Sequence, residues 1–149
     1  MTVLDCFVVG LPVAKGSLTP IVASRGGKKV RVLPSERQRR WQALISEHVS
    51  RLWTDAALDV PVSVSLVFVF PRPKNHFRRD GKTLRQNVPH YVQTRPDLDK
   101  LTRCVLDALQ GVLLRDDMLV VQLMAAKCYA GEGERCGVRI TVRRFTDGK

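Results

Sequence analysis

Three kinds of segment are missing from this 149-residue sequence, and each absence argues against a class of protein. No apolar run is long enough to span a bilayer, which argues against an integral membrane protein. Met1–Gly10 lacks the basic start and the small-residue cleavage site of a signal peptide, so we expect a cytoplasmic protein. No internal repeat or low-complexity tract divides the chain, and its length therefore predicts a single domain over residues 1–149.

Closely spaced cysteines are also absent. The four cysteines are Cys6, Cys104, Cys128 and Cys136, and no two of them have CxxC spacing. A structural zinc site needs tightly spaced ligand pairs, so the sequence disfavours one. We expect reduced thiols that pack as small hydrophobic side chains.

Acidic residues are scarce: 25 Lys and Arg stand against 14 Asp and Glu, for a formal net charge of +11. Such an excess usually indicates a polyanion partner, and nucleic acid is the commonest one. A basic protein without such a partner is the plainer alternative. A membrane surface fits less well, because no predicted helix is a basic amphipath with an aromatic face.

The hydrophobic pattern predicts an α+β fold, in which a mixed β-sheet packs with two main helices. Ser35 and Gln38 form a capping box that predicts the first helix, and Gly111 ends the second. The predicted strands cover Val3–Val9, Val60–Phe70, Met118–Tyr129 and Val138–Phe145, with a hairpin turn at Gly26–Gly27, and the second helix spans about Leu98–Gln110. The predicted core face of the first helix contains Trp41, Leu44, Ile45, Val49, Leu52 and Trp53.

A basic loop at about residues 71–95 separates the central strand from the second helix. Loops of this length are usually functional or disordered, and contact with DNA is compatible with either state. The residues that we predict to bind DNA are Lys15, Arg72, Lys74, His76, Arg78, Arg79 and Lys100.

The aspartates are concentrated in one short segment of this basic chain. Five of the ten lie between Asp97 and Asp117, against only three cations. Clustered carboxylates repel one another, and a bound cation removes that conflict. Carboxylate oxygens are the ligands that Mg²⁺ and Mn²⁺ prefer. Helical spacing aligns Asp99, Arg103 and Asp107 on one stripe, and the next strand could bring Asp117 back beside the helix N-terminus.

The segment therefore predicts a metal site of Asp97, Asp99 and Asp117, with Asp116 as a less certain ligand. Together with a basic surface, this is the combination expected of a metal-dependent nuclease. Taken singly, the same residues have plainer explanations. Asp97 could be a helix N-cap, and Asp116 and Asp117 could belong to a turn. We assign Asp107, in the middle of the helix, either a structural role or a supporting role behind the metal ligands.

Several motifs of the sequence resemble one known family. They are Gly10–Gly16 (GLPVAKG), Phe70–Lys74 (FPRPK), Pro96–Leu101 (PDLDKL), Val105–Leu109 (VLDAL), Gly111, Arg115–Asp117 (RDD) and Val120–Val121. Together they resemble the RusA-type Holliday junction resolvases, including phage-encoded relatives, from Phe7 to about Lys127.

The resemblance implies a homodimeric endonuclease that resolves four-way DNA junctions with paired nicks, using Mg²⁺ or Mn²⁺. It implies a small α+β domain and a place in DNA recombination and repair, in a bacterial or phage-infected host cytoplasm. It maps the family's metal-binding aspartates onto Asp97, Asp99 and Asp117, and so selects Asp117 over Asp116.

The sequence departs from the family at two positions. Lys100 stands where many members have Asn, and Arg103 stands where an important Lys is expected. Arg stays protonated, so it could stabilise charge on a phosphate but could not act as a general base. Lys15, Lys100 and Lys127 are candidates for the missing lysine.

Two other functions remain open from the sequence. The same metal site could cut flaps or other branched DNA, or the chain could be a DNA-binding protein that has lost catalysis. The mutually repelling Asp97, Asp99 and Asp117 argue against the second alternative.

Overall fold

A computed structural model describes residues 1–16, 21–22, 29–30 and 34–145. The elements follow one another as β1 (Thr2–Val9), β2 (Ile21–Val22), β3 (Lys29–Val30), α1 (Glu36–Leu52), β4 (Val62–Phe70), α2 (Leu98–Leu109), β5 (Val120–Tyr129) and β6 (Gly137–Arg144). Both predicted helices and the four predicted strands of the main sheet are therefore present. The bounds of the four strands and of α2 are shifted by one or two residues.

The main sheet has the strand order β1–β6–β4–β5. β6 pairs antiparallel with both β1 and β4, whereas β5 runs parallel to β4 at the edge of the sheet. The predicted α+β fold with a mixed sheet and two helices is confirmed. β2 and β3 form a separate antiparallel pair, as the hairpin predicts, but its turn at Gly26–Gly27 lies outside the described residues.

Both helices pack on one face of the sheet. Their buried side chains share one hydrophobic cluster with alternate residues of β1, β4 and β6. The predicted face of α1 is too wide: Trp41, Ile45 and Val49 are buried, but Leu44 and Leu52 are exposed. Helical spacing gives the general direction of an apolar face, whereas the neighbouring elements determine how wide a stripe they cover.

The capping box at the start of α1 is only half formed. Ser35 Oγ accepts a hydrogen bond from the Gln38 N–H at 3.1 Å, as predicted. The Gln38 side chain is buried and accepts instead from the Gly16 N–H, at 3.0 Å, so it does not return to Ser35. This bond attaches the segment that carries Lys15 to α1.

The connection between β4 and β5 positions the candidate site. Parallel neighbouring strands need a long crossover, and here residues 71–119 form it. The crossover contains the basic loop, α2 and a 3₁₀ turn at Asp117–Leu119. No helix in the described part of the chain is both long and apolar enough to cross a membrane.

Candidate active site

Asp97 and Asp99 lie at the N-terminus of α2. Asp97 is the N-cap residue, and its backbone carbonyl accepts from the Leu101 N–H at 3.0 Å. Among the residues that the structure describes, its carboxylate caps no N–H group of the helix; Lys100 Nζ lies 3.6 Å from Asp97 Oδ2. The N-cap explanation for the Asp97 side chain is therefore not supported. Asp99 occupies the first helical turn and is exposed.

Asp116 and Asp117 precede β5 rather than open it. Asp116 Oδ1 accepts from the Met118 N–H at 2.9 Å and caps the 3₁₀ turn, so the turn explanation describes Asp116 well. Asp117 is exposed and differs from its neighbour. A side-chain hydrogen bond with Asp116, some desolvation, and the negative charges of Asp116 and Asp107 raise the pKa of Asp117, while Arg103 opposes the shift.

These interactions place Asp117 beside the polar stripe of α2. The charges of Asp107 and Arg103, both beyond the first turn of α2, act on it, and the 3₁₀ turn contacts α2. A groove of about 610 Å³ runs between α2 and β5, and Asp99 and Arg103 are among the residues that line it. Within the described residues, no three His, Cys, Asp or Glu side chains are grouped closely enough to form a preformed metal site.

The three candidate lysines all lie around α2. Lys15 Nζ donates to Asp107 Oδ2 at 2.8 Å, and the Lys15 N–H donates to the Lys100 carbonyl at 3.0 Å. Lys127 Nζ donates to two backbone carbonyls, of Thr94 at 2.6 Å and of Pro96 at 2.8 Å. Lys127 therefore holds the segment that leads into Asp97.

The predicted DNA-binding residues of the basic loop differ in their surroundings. Arg72 donates to the carbonyls of Ala130 and Pro89, both at 2.8 Å, and its guanidinium lies 5.3 Å from the centre of the Tyr129 ring. The His76 ring packs edge-on against the same tyrosine, at 5.1 Å. Arg72 and His76 thus brace the loop, whereas Lys74, Arg78 and Arg79 are exposed.

Two features near the site had not been expected from the sequence: the contacts of Lys127, which was a candidate only for the missing lysine, and the exposure of Tyr91. Lys127 acts through backbone carbonyls far away in the chain, and no local pattern indicates such a contact. Tyr91, beside His90, is 60% exposed at the end of the basic loop. The sequence feature that could have indicated Tyr91 is an aromatic residue within a basic segment that has few apolar side chains.

Comparison with known proteins decides the family. Residues 12–143 match the family Endodeoxyribonuclease RusA. The chain belongs to the RusA family of endonucleases. The matched range includes Asp97, Asp99 and Asp117, and it confirms the resemblance that the sequence motifs indicated. The uncharacterized protein YqaN of Bacillus subtilis (strain 168) is 27% identical to this RusA-family chain over an alignment of 135 positions, which covers 87% of this chain and 92% of that protein.

Proposed function

We propose that this RusA-family chain is a metal-dependent endonuclease that resolves Holliday junctions by paired phosphodiester hydrolysis, in DNA recombination and repair. One observation carries the proposal. Asp117 lies beside α2, where its side-chain hydrogen bond with Asp116 and the charges of Asp116 and Asp107 raise its pKa. The same helix begins with Asp97 as its N-cap and Asp99 in its first turn. Such crowding of carboxylates in a +11 protein is what a cation-dependent phosphodiesterase needs.

The donor set fits Mg²⁺ or Mn²⁺. Asp97, Asp99 and Asp117 offer carboxylate oxygens, the ligands that these ions prefer, and all three are solvent-exposed. Asp116 is the less suitable ligand, since one of its oxygens accepts from Met118. When bound, the ion neutralises charge on the scissile phosphate and lowers the pKa of a water molecule.

The chain's own residues bind and orient the DNA backbone. The Arg103 guanidinium lines the groove beside Asp99, where it can donate two hydrogen bonds to one phosphate. A guanidinium stabilises negative charge and does not act as a general acid or base, so we give Arg103 the first role alone. Lys74, Arg78 and Arg79 supply exposed positive charge on the basic loop.

Paired nicks require two active sites, and we propose a homodimer that uses the outer edge of β5 over residues 120–126, which no other described strand covers. Residues 118–126 contain no charged side chain, and Met118, Val121, Leu123 and Met124 are exposed. An unpaired strand edge offers N–H and C=O groups to a second strand. A two-fold axis would pair β5 with its own copy without bringing like charges together.

The test is cleavage of a synthetic four-way junction, with flap and linear duplex controls, in Mg²⁺, Mn²⁺ or EDTA. We expect paired cuts in the junction only when the metal is present. Asp97→Asn should slow cutting at least about a hundred-fold, the usual scale for losing a charge-stabilising group at the reacting centre. Asp55→Asn, an exposed carboxylate outside this cluster, is the matched control.

The outcomes separate the alternatives. Faster cutting of flaps than of junctions would replace junction resolution with another branched-DNA specificity. Tight binding without any cutting would identify an inactive DNA-binding protein. Full activity of Asp97→Asn would refute the site assignment.

A further inference from the structure

Tyr91 is an exposed aromatic ring on a well-anchored segment of backbone. The ring is 60% exposed, while the next side chain, Val92, is buried. The His90 carbonyl accepts from the Tyr129 N–H at 2.9 Å, and the Val92 N–H donates to the Lys127 carbonyl at 3.1 Å. Tyr91 thus sits on a short bridge to the end of β5, and the fold supports an aromatic surface that it leaves open to solvent.

His90 completes this surface. Its ring meets Tyr91 edge to face, with centroids 4.7 Å apart and planes at 78°. This geometry is favourable for an aromatic pair, and it limits the orientations of the tyrosine ring. The aromatic pair, His90 and Tyr91, is therefore partly ordered before any ligand binds.

The aromatic pair is tied to the candidate active site through one residue. The Lys127 carbonyl holds Val92, while Lys127 Nζ holds the carbonyls of Thr94 and Pro96, next to Asp97. Tyr91 and Asp97 are thereby attached to the same point of β5. A ligand stacked on the ring would have a fixed relation to the catalytic carboxylates.

The charge around the aromatic pair favours a polyanion. Residues 71–95 contain seven Lys and Arg but a single carboxylate, Asp80. That carboxylate accepts hydrogen bonds from Thr83 and Lys82 within its own turn. A second copy of this basic chain would meet repulsion here, whereas DNA would be attracted.

We propose that the aromatic pair is a stacking site for a nucleobase that is unstacked at the branch point of the DNA. This rests on the proposed function, in which the substrate is branched DNA. Within a duplex both faces of a base are covered, but at a branch a face becomes accessible. Aromatic side chains bind such faces with little dependence on sequence.

The test measures dissociation constants by fluorescence anisotropy in EDTA, so that binding is read without cleavage. The probes are a labelled four-way junction and a linear duplex of equal length. Tyr91→Ala should weaken junction binding by about 5- to 150-fold, the range for one base–aromatic stack, with little change for the duplex. Tyr91→Phe keeps the ring and should bind like wild type, and Leu52→Ala, another exposed apolar side chain, is the matched control.

A second set of junctions carries an abasic nucleotide beside the branch point, at each position in turn. At one position, the abasic nucleotide should weaken junction binding by the wild-type protein as much as the Tyr91→Ala substitution does. The same nucleotide should not weaken binding by Tyr91→Ala any further. The stacking site would be overturned if Tyr91→Ala bound junction and duplex equally more weakly, if it lost no affinity for the junction, or if its oligomeric state changed. If wild type cuts junctions and Tyr91→Ala binds them normally, only the stacking site fails. Stacking without cutting would instead overturn the nuclease.

Discussion

Asp116 and Asp117 are adjacent in the chain and have different surroundings. The Asp116 carboxylate accepts from the Met118 N–H and shapes the turn before β5. The Asp117 carboxylate is exposed, and the charges of Asp107 and Arg103 act on it across from α2. At the scale of single residues, Asp116 therefore shapes the turn, and Asp117, whose pKa is raised first by its side-chain hydrogen bond with Asp116, is the carboxylate that we propose as a metal ligand.

Asparagine substitutions separate these two roles. Asp117→Asn should reduce junction cleavage at least about a hundred-fold, because it removes a negative ligand from the proposed metal site. Asp116→Asn should keep most activity, since its amide oxygen can still accept from Met118. The measurement is the single-turnover cleavage rate across a Mg²⁺ titration. A larger loss for Asp116→Asn would exchange the two assignments.

The Cys104 thiol should react slowly in the folded protein. Burial and, to a lesser extent, the charge of Asp107 raise its pKa to about 11 from an ordinary 9.0. At pH 8 this leaves about a hundred-fold less thiolate, the species that reacts with iodoacetamide. Mass spectrometry should find Cys104 unmodified in native protein and modified in urea. Rapid native labelling would contradict the burial.

The same shift has a consequence for stability. The unfolded thiol ionises from about pH 9 and the folded one near pH 11, so the folded state is favoured below this window. This contribution is lost as the pH rises through the window.

At the scale of elements, α2 contributes buried side chains to the core and also presents the candidate site residues Asp99 and Arg103. Leu101, with 0% exposure, lies two residues after Asp99. Leu101→Ala should lower the free energy of unfolding by about 2–5 kcal/mol, because it leaves a cavity under the helix. Leu52→Ala, at a position 56% exposed on α1, should change it by about 0.5 kcal/mol or less. Urea unfolding monitored by circular dichroism measures the free energy of unfolding of both variants. Equal decreases for the two would contradict the burial of Leu101.

Local patterns in the sequence predicted most of the elements, and long-range contacts explain where they fell short. β1, β4, both helices and the position of Asp97 before α2 follow from periodicity, caps and turns. Local patterns do not predict the exposure of Leu44 or the hydrogen bond from the Gly16 N–H to Gln38, because each depends on which element packs nearby. The hydrogen bond from Lys127 Nζ to the Pro96 carbonyl joins residues 31 positions apart, so no local sequence pattern predicts it.

At the scale of the whole molecule, the proposed dimer has to overcome repulsion between two copies of a basic chain. The chain carries +11 overall, so association needs an uncharged surface, and Met124 is 67% exposed on the outer edge of β5. Met124→Lys should shift the protein from dimer to monomer in light scattering after size exclusion, and Leu52→Lys should not. A monomeric wild type, or a dimeric Met124→Lys, would overturn this interface.

The parallel pairing of β4 with β5 places the candidate functional residues in one stretch of chain. Residues 71–119 leave the sheet after one strand and return beside it, carrying the basic loop, the aromatic pair and the candidate carboxylates. The sheet and α1 come from outside this stretch. We therefore expect chimaeras that exchange the crossover between relatives to carry substrate preference with it, provided that the buried face of α2 still fits the core of the recipient.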